Sequence, residues 1–215
     1  MAMNQDDILK LKAVALYILK KCGETDFIHL FKILYFAERY HYASYGKHLV
    51  KDTFYALERG PVPSFLYDSV KVATCTMVVD KSNPLLQIAQ SIQPGEAECY
   101  FQIRAKEEPD MDELSPAEIK TLDYIIEENR FKHPDQLSKE SHDIAWETAW
   151  NKKHSSPMNP SLIAQAGGAE DGFIRYMEEQ EESYENQRDY FEQYIKARPD
   201  WNYVEGYADQ GCKAC

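Results

Sequence analysis

The 215-residue sequence is 44% apolar and carries 24 Lys and Arg residues against 36 Asp and Glu residues, which gives a net charge of −12 at pH 7. This length and composition predict one main globular domain with its own core. The acidity argues against general nucleic-acid binding, which requires a cationic surface that displaces counterions from phosphates. It suits a protein partner with a positive working surface, such as a nuclease.

Cysteine usage and hydropathy indicate a reduced, cytoplasmic protein. The five cysteines are odd in number and scattered along the chain, which does not suggest a disulfide framework. We find no N-terminal apolar segment and no run of about eighteen apolar residues. We therefore expect neither export nor a membrane span.

The first predicted helix, residues 5–22, begins after the N-cap residue Asn4 and ends at Gly23. A second helix follows after only a few residues and is capped by Thr25 or Asp26. Its apolar residues lie on nearly all sides, which is typical of a buried, central helix. The short connection predicts that the two helices are antiparallel or steeply crossed.

The next region combines a predicted strand, a corner and a third helix. Gly46 ends the central helix, and residues 53–57 form the strand candidate. Residues 59–63, with two prolines one residue apart, predict a stiff corner, because each proline fixes its own φ and restricts the residue before it. The third helix is predicted from Ser64 to about Met77.

Several motifs follow one another in a fixed order between residues 8 and 153. They are Lys32-Ile33-Leu34-Tyr35-Phe36-Ala37-Glu38-Arg39, Tyr45-Gly46, Asp52-Thr53, Gly60-Pro61-Val62-Pro63, Leu66-Tyr67-Asp68, Leu114-Ser115, Leu137-Ser138, Ser141-His142 and Ala145-Trp146. This ordered series resembles the Panacea domain, the SocA-like antitoxin family of bacteria and phages.

The resemblance implies a mainly helical fold with a small β element. It implies an antitoxin that neutralises a toxin encoded beside it. In the founding member of the family the antitoxin is an adaptor that delivers the toxin to a protease, so this alternative stays open, with a protease or unfoldase as a further partner. A homo-oligomer is also left open.

Two further strands are predicted after the third helix. Leu85–Ile92 and Cys99–Ala105 have strand length, and Pro94-Gly95 between them is a turn signal. We expect a hairpin that pairs with residues 53–57. The fold class is therefore mainly α with a small antiparallel β element (α+β).

Three more helices complete the predicted domain. Ser115 opens a capping box, and the helix that it begins ends near Arg130. Short helices follow at residues 134–140 and 142–153, and Ser141 is expected to cap the second of these. Two tryptophans spaced four residues apart on that helix share one face.

The predicted organisation has four parts: a compact helical Panacea-type domain over residues 1–153, a loop or linker over 154–168, an acidic C-terminal helix over 169–197 and a tail over 198–215. The C-terminal helix has a thin, heptad-like apolar seam. Such a seam fits either a helix packed on its own domain or an arm that contacts a partner or forms a dimer.

Candidate partner-binding residues lie in two regions. Long or aromatic side chains on rigid supports anchor interfaces at low entropic cost, and Arg39, His41, Tyr42 and Arg59 are of this kind, with Pro61 and Pro63 in the stiff corner beside Arg59. Met177 and Tyr184 belong to the seam of the C-terminal helix. The alternative for the two arginines is structural: they would bridge acidic neighbours such as Glu38, Asp52 or Glu58 and fix the corner.

The sequence offers little support for catalysis or a metal. Ser141, His142 and Asp143 are adjacent, whereas a catalytic triad needs side chains that converge in space. Cys212 and Cys215 form one C-x-x-C pair, which is half of the ligand set of a structural zinc. We predict no metal, no cofactor and no enzyme, and a hydrolase or metal-dependent enzyme ranks last among the functions.

Overall fold

The computed structural model describes residues 3–95, 102–180 and 182–183. The chain divides into two units, Met1–Asp171 and Gly172–Cys215. In the second unit, residues 172–180 and 182–183 are helical, and the remainder of the predicted helix 169–197 and the tail lie outside the described residues. The first unit is mainly helical with two small antiparallel sheets, which confirms the predicted fold class.

Helices α1 (Gln5–Cys22) and α2 (Phe27–Tyr45) have the predicted bounds. The side chains of Asn4 and Asp26 accept hydrogen bonds from backbone N–H groups of the first turns, at 2.8 and 3.0 Å. Gly46 ends α2 in the left-handed conformation, with φ of 65°. Helix α2 packs against α1, α5, α6 and α8, so it is the central helix of the unit.

The remaining helices are α3 (Ser64–Ala73), α4 (Leu86–Ala89), α5 (Pro116–Asn129), α6 (Pro134–Glu140), α7 (Ile144–Lys152) and α8 (Pro160–Ala166), with a 3-10 turn at Met111–Glu113. The capping box at Ser115 is confirmed. Helix α3 ends before the predicted Met77, because the Thr74 and Thr76 hydroxyls donate to carbonyls of its last turn and Cys75 has a φ of 58°.

The six strands found among the described residues form two sheets. In the first, β1 (Thr25–Asp26), β5 (Gln102–Ala105) and β4 (Ile92–Pro94) lie in the order β1-β5-β4. In the second, β3 (Gly60–Pro63), β2 (Phe54–Leu57) and β6 (Ser156–Pro157) lie in the order β3-β2-β6. All pairs are antiparallel.

The predicted pairing of the second hairpin with residues 53–57 is wrong. Strands β4 and β5 pair with each other and β5 pairs with β1, whereas β2 pairs with the proline segment itself, with Leu57 opposite Gly60. Leu85–Ile92 is not a strand either, because it contains α4 and only its last residue enters β4. The proline corner is thus one strand of a hairpin.

Residues 154–168, expected to be a loop or linker, contain strand β6 and helix α8. Strand β6 adds to the outer edge of β2, and α8 packs against α2 and α7. The contact with α2 is close: a Cβ added at Gly167 would lie 2.3 Å from the Arg39 carbonyl oxygen. These residues therefore belong to the first unit.

Candidate functional site

Three helices hold the β2–β3 hairpin by its backbone carbonyls. The hydrogen bonds run from Trp146 Nε1 to the Leu57 carbonyl (2.9 Å), from Ser138 Oγ to the Arg59 carbonyl (2.8 Å) and from Lys32 Nζ to the Pro61 carbonyl (2.7 Å). The accepting carbonyls belong to every second residue, Leu57, Arg59 and Pro61. One edge of the hairpin therefore faces α2, α6 and α7. We call these three contacts the hairpin clamp.

Gly60 allows the hairpin backbone to lie close to the donors of the clamp. Its φ is +96°, a conformation that residues with a side chain rarely adopt. A Cβ at this position would lie 2.3 Å from Ser141 Oγ and 2.8 Å from Lys32 Nζ. The hairpin backbone therefore approaches α2 and the α6–α7 connection as closely as glycine permits.

Lys32 is the charged group of the clamp and is only 2% exposed. Among the described residues its Nζ atom has no carboxylate partner within ion-pair distance, and the Pro61 carbonyl accepts its hydrogen bond. Burial lowers the pKa of the Lys32 ammonium to about 7. The clamp thus contains an amine that changes protonation near neutral pH.

Asp143 joins α2 to α7 beside the clamp. Its carboxylate accepts hydrogen bonds from the Tyr35 hydroxyl at 2.8 Å and from the Arg39 guanidinium at 2.8 Å. The same side chain caps α7, because it accepts from the backbone N–H groups of Ala145 and Trp146. Burial and the Asp143 carboxylate raise the pKa of the Tyr35 hydroxyl, so this hydroxyl stays a donor.

Four aromatic rings stack along α7 from the clamp outward. Ring centroids are 3.7 Å apart for His142 and Trp146, 5.4 Å for Trp146 and Trp150, and 3.9 Å for Trp150 and His154. The predicted shared face of the two tryptophans is confirmed. Burial and the nearby Lys32 ammonium lower the pKa of His142, and its Nε2 atom is buried without a hydrogen-bond partner among the described residues.

The predicted partner-binding residues differ in their surroundings. Arg59 is exposed at the hairpin turn, and the Arg39 side chain is about a quarter exposed. Four others, His41, Tyr42, Pro61 and Pro63, are buried. Met177 lies in the helical stretch of the second unit, and Tyr184 lies outside the described residues.

Two of the acidic neighbours expected for the arginines, Glu38 and Asp52, have other partners. Glu38 accepts hydrogen bonds from the backbone N–H groups of Leu49 and Val50, and Asp52 accepts from those of Phe65 and Leu66. The expected bridges from Arg39 and Arg59 to these carboxylates are therefore wrong. Asp143, distant in sequence, pairs with Arg39 instead.

The expected cap of α7 is also wrong. Asp143 is the N-cap, and the Ser141 hydroxyl donates instead to the Ser138 carbonyl at 2.7 Å. Since Asp143 is held by Tyr35 and Arg39, the three adjacent residues Ser141, His142 and Asp143 do not form a triad.

The two histidines of α2 contact other protein groups. His29 Nδ1 is 2.6 Å from the Asp26 carboxylate and its Nε2 is 2.9 Å from the Lys132 carbonyl oxygen, while His41 Nδ1 is 3.1 Å from Thr121 Oγ1. Within the described ranges, no group of three or more His, Cys, Asp or Glu side chains is placed to hold a metal ion. In the same part of the chain, no helix is both long and apolar enough to cross a membrane.

The residues that fix the hairpin are not among the predicted site residues. One sequence feature could have identified Lys32: it is a charged residue on a helix that is predicted to be buried on all sides. Asp143 and Ser138 carried none, because their partners lie about 80 to 110 residues away along the chain.

One family model matches the chain: the one described as "Antitoxin SocA-like, Panacea domain", over residues 30–150. No curated protein and no solved structure matches the chain. The matched range contains most of α2, the β2–β3 hairpin and most of α7, and hence every residue of the hairpin clamp.

Proposed function

Since the chain belongs to the family of SocA-like antitoxins with a Panacea domain, we propose that it neutralises a toxin encoded beside it by direct protein–protein binding, without catalysis, in the cytoplasm. The overall charge of −12 favours encounter with a toxin whose working surface is positive.

The position of Arg59 is the observation that supports the proposed contact with the toxin. Its side chain is exposed at the turn of the β2–β3 hairpin, and its own carbonyl is held by Ser138 at 2.8 Å. In the described part of the chain no carboxylate lies within ion-pair distance of its guanidinium. A free arginine on a fixed backbone loses little conformational entropy on binding, and arginine is enriched among residues that dominate interface energies.

Co-expression with the neighbouring gene product tests the proposal. The wild-type chain should restore growth and copurify with that protein, and Arg59→Glu should weaken both while the chain stays folded. Lys81→Glu is the matched control, because Lys81 is an exposed cation outside the clamp. Failure of the wild-type chain to bind or to restore growth would contradict the proposal.

Toxin abundance separates binding alone from delivery to a protease. If the chain acts by occlusion, the toxin level stays constant while growth recovers. If the toxin disappears in cells with an intact ATP-dependent protease and persists in cells without it, the adaptor mechanism operates. Both outcomes share the binding step at the hairpin.

A further inference from the structure

Two basic side chains and a hydroxyl meet at Gly60 in the hairpin clamp. A Cβ at this glycine would lie 2.8 Å from Lys32 Nζ, 2.3 Å from Ser141 Oγ and 3.3 Å from a ring carbon of His142. Lys32 belongs to α2, whereas Ser141 and His142 belong to the connection between α6 and α7. The hairpin backbone at Gly60 therefore lies against an amine and an imidazole at the same time. We call these three side chains the Gly60 cluster.

The Gly60 cluster holds its two basic groups most easily without charge. Lys32 is 2% exposed, and its Nζ atom donates to the Pro61 carbonyl at 2.7 Å. The Nε2 atom of His142 is buried, and among the described residues it has no hydrogen-bond partner. The Ser141 hydroxyl donates to the Ser138 carbonyl at 2.7 Å. A buried cation without a paired anion is costly, so both basic groups resist protonation here.

The carboxylates nearest to His142 in the sequence compensate only in part. Asp143 is 2.8 Å from the Arg39 guanidinium, and Glu147 of α7 is exposed. Burial and the Lys32 ammonium lower the pKa of His142, and Asp143 and Glu147 raise it by less.

Other charged or titratable residues of α2, α6 and the hairpin contact groups outside the Gly60 cluster or are exposed. The paired residues are His29 with Asp26, Tyr35 with Asp143, Glu38 with His48, His41 with Thr121 and Glu140 with Lys132, and the exposed residues are Glu58, Arg59 and Lys139. Two protonated groups in the cluster would therefore face each other with little compensation.

The hairpin has a buried base and a tip that the clamp holds. Phe54 and Ala56, at the base, are 3% and 0% exposed and belong to the core, and β6 pairs with the same end of β2. We call residues 57–61 the hairpin tip. Its carbonyls at Leu57, Arg59 and Pro61 are the three acceptors of the clamp. The tip can therefore separate from the helices while the base stays packed.

We propose that protons release the hairpin tip: when Lys32 and His142 are both charged, the tip separates from α2 and from the α6–α7 connection. Two neighbouring cations in a buried site repel each other and lack hydration, and separation of the tip admits water to both. Release is a property of this chain alone. Only its effect on toxin binding, through Arg59 in the tip, rests on the proposed function.

The direction of the pH dependence follows from the two basic groups. The pKa of Lys32 is about 7 in the closed clamp, against 10.5 for an amine in water, and the pKa of His142 lies below its ordinary 6.5. The released state therefore binds protons more tightly at both groups, so release becomes more favourable as the pH falls. The contribution of Lys32 is mostly complete at pH 7, whereas that of His142 begins below pH 6.5.

Hydrogen exchange of the full chain at pH 7.0 and 5.5, corrected for the intrinsic exchange rates, measures release. The opening constant of the tip amides should rise about tenfold between the two pH values, whereas the amides of residues 30–37 in α2 should keep their protection. His142→Phe keeps an aromatic ring beside Trp146 but cannot take up a proton, so its rise should be about twofold at most.

His154→Phe is the matched control variant. His154 stacks on Trp150 at the other end of the same row of rings, with centroids 3.9 Å apart, and it is exposed. Its replacement should leave the acid response of the tip as in the wild type. An equal response in His142→Phe and the wild type would assign release to another group and overturn the inference.

Nuclear magnetic resonance titration of the histidine rings tests the coupling between the two basic groups. Lys32→Met should raise the pKa of His142, because the neighbouring ammonium is gone, and should leave that of His154 unchanged. An unchanged pKa of His142 would show that the two groups do not act together, and the inference would be wrong. The exchange measurement on His142→Phe remains decisive if Lys32→Met does not fold.

Two further outcomes of the exchange measurement would contradict the inference. If the α2 amides lose protection in parallel with the tip, acid unfolds the whole domain. If the protection of the tip is the same at both pH values, the clamp holds with both groups charged. The proposed function stands in either case, because the experiment contains no toxin.

Discussion

The Arg39 guanidinium lies 2.8 Å from the Asp143 carboxylate, and this ion pair connects the central helix to the start of α7. Asp143→Ala removes the ion pair, the acceptor for the Tyr35 hydroxyl and the cap of α7 together. We expect a loss of about 3 kcal/mol in the free energy of unfolding, measured by urea denaturation.

Asp110→Ala is the matched control for this loss. Asp110 caps only the exposed 3-10 turn at Met111–Glu113, so its replacement should cost less than about 1 kcal/mol. Equal losses for the two variants would show that the Arg39–Asp143 pair adds nothing beyond an ordinary cap.

Lys32 should make stability depend on pH. Its pKa is about 7 in the folded protein, against an ordinary value of 10.5 in the unfolded chain, so between these values the unfolded chain binds more protons. The free energy of unfolding of the wild type, relative to Lys32→Met, should therefore rise from pH 7 to pH 9, by at most about 1.4 kcal/mol per pH unit.

Urea denaturation at pH 7, 8 and 9 measures this difference. Lys81→Met removes an exposed amine, so its free energy of unfolding should change with pH in parallel with that of the wild type. If Lys32→Met also runs parallel to the wild type, the buried amine does not change its pKa on folding.

Gly60→Ala should destabilise the protein through two effects, a left-handed φ and a Cβ placed 2.3 Å from Ser141 Oγ. Gly168→Ala separates them, because Gly168 has a φ of +94° and no atom within 4 Å of an added Cβ. We expect about 1 kcal/mol for Gly168→Ala and at least about 2 kcal/mol more for Gly60→Ala. Equal losses would mean that the hairpin can move away from α6 and α7.

His29 should stabilise the fold more at low pH. The hydrogen bond to the Asp26 carboxylate raises the pKa of His29, so its contribution is complete below the unfolded value of 6.5 and is lost as the pH rises through the folded value. The loss of stability caused by His29→Gln, measured by thermal unfolding, should be larger at pH 5.5 than at pH 8. His133→Gln, which replaces the exposed histidine at the start of α6, should show a smaller change.

The sequence predicted both ends of α1 and α2 and the start of α5, because their signals are local. The side chains of Asn4, Asp26 and Ser115 each accept from a backbone N–H group three residues away, and Gly46 needs only its own freedom to adopt a positive φ. The central position of α2 was also predictable, since its apolar residues surround it.

The strand pairing could not be predicted in the same way. Strand β1 has two residues, one of which also caps α2, and Ile103, the partner of Thr25, lies 78 residues further along the chain. Leu85–Ile92 is an apolar run that fits a helix or a strand equally well. The partners of Lys32, Ser138 and Asp143 are likewise set by tertiary packing, which leaves no local pattern in the sequence.

The stack of rings along α7 has a consequence for how the hairpin can be observed. Trp146 lies between His142 and Trp150 and donates its indole N–H to the Leu57 carbonyl. We expect its emission to respond both to the charge on His142 and to separation of the hairpin from α7. Separation of the hairpin that carries Arg59 from α7 should therefore be detectable in Trp146 emission without an added label.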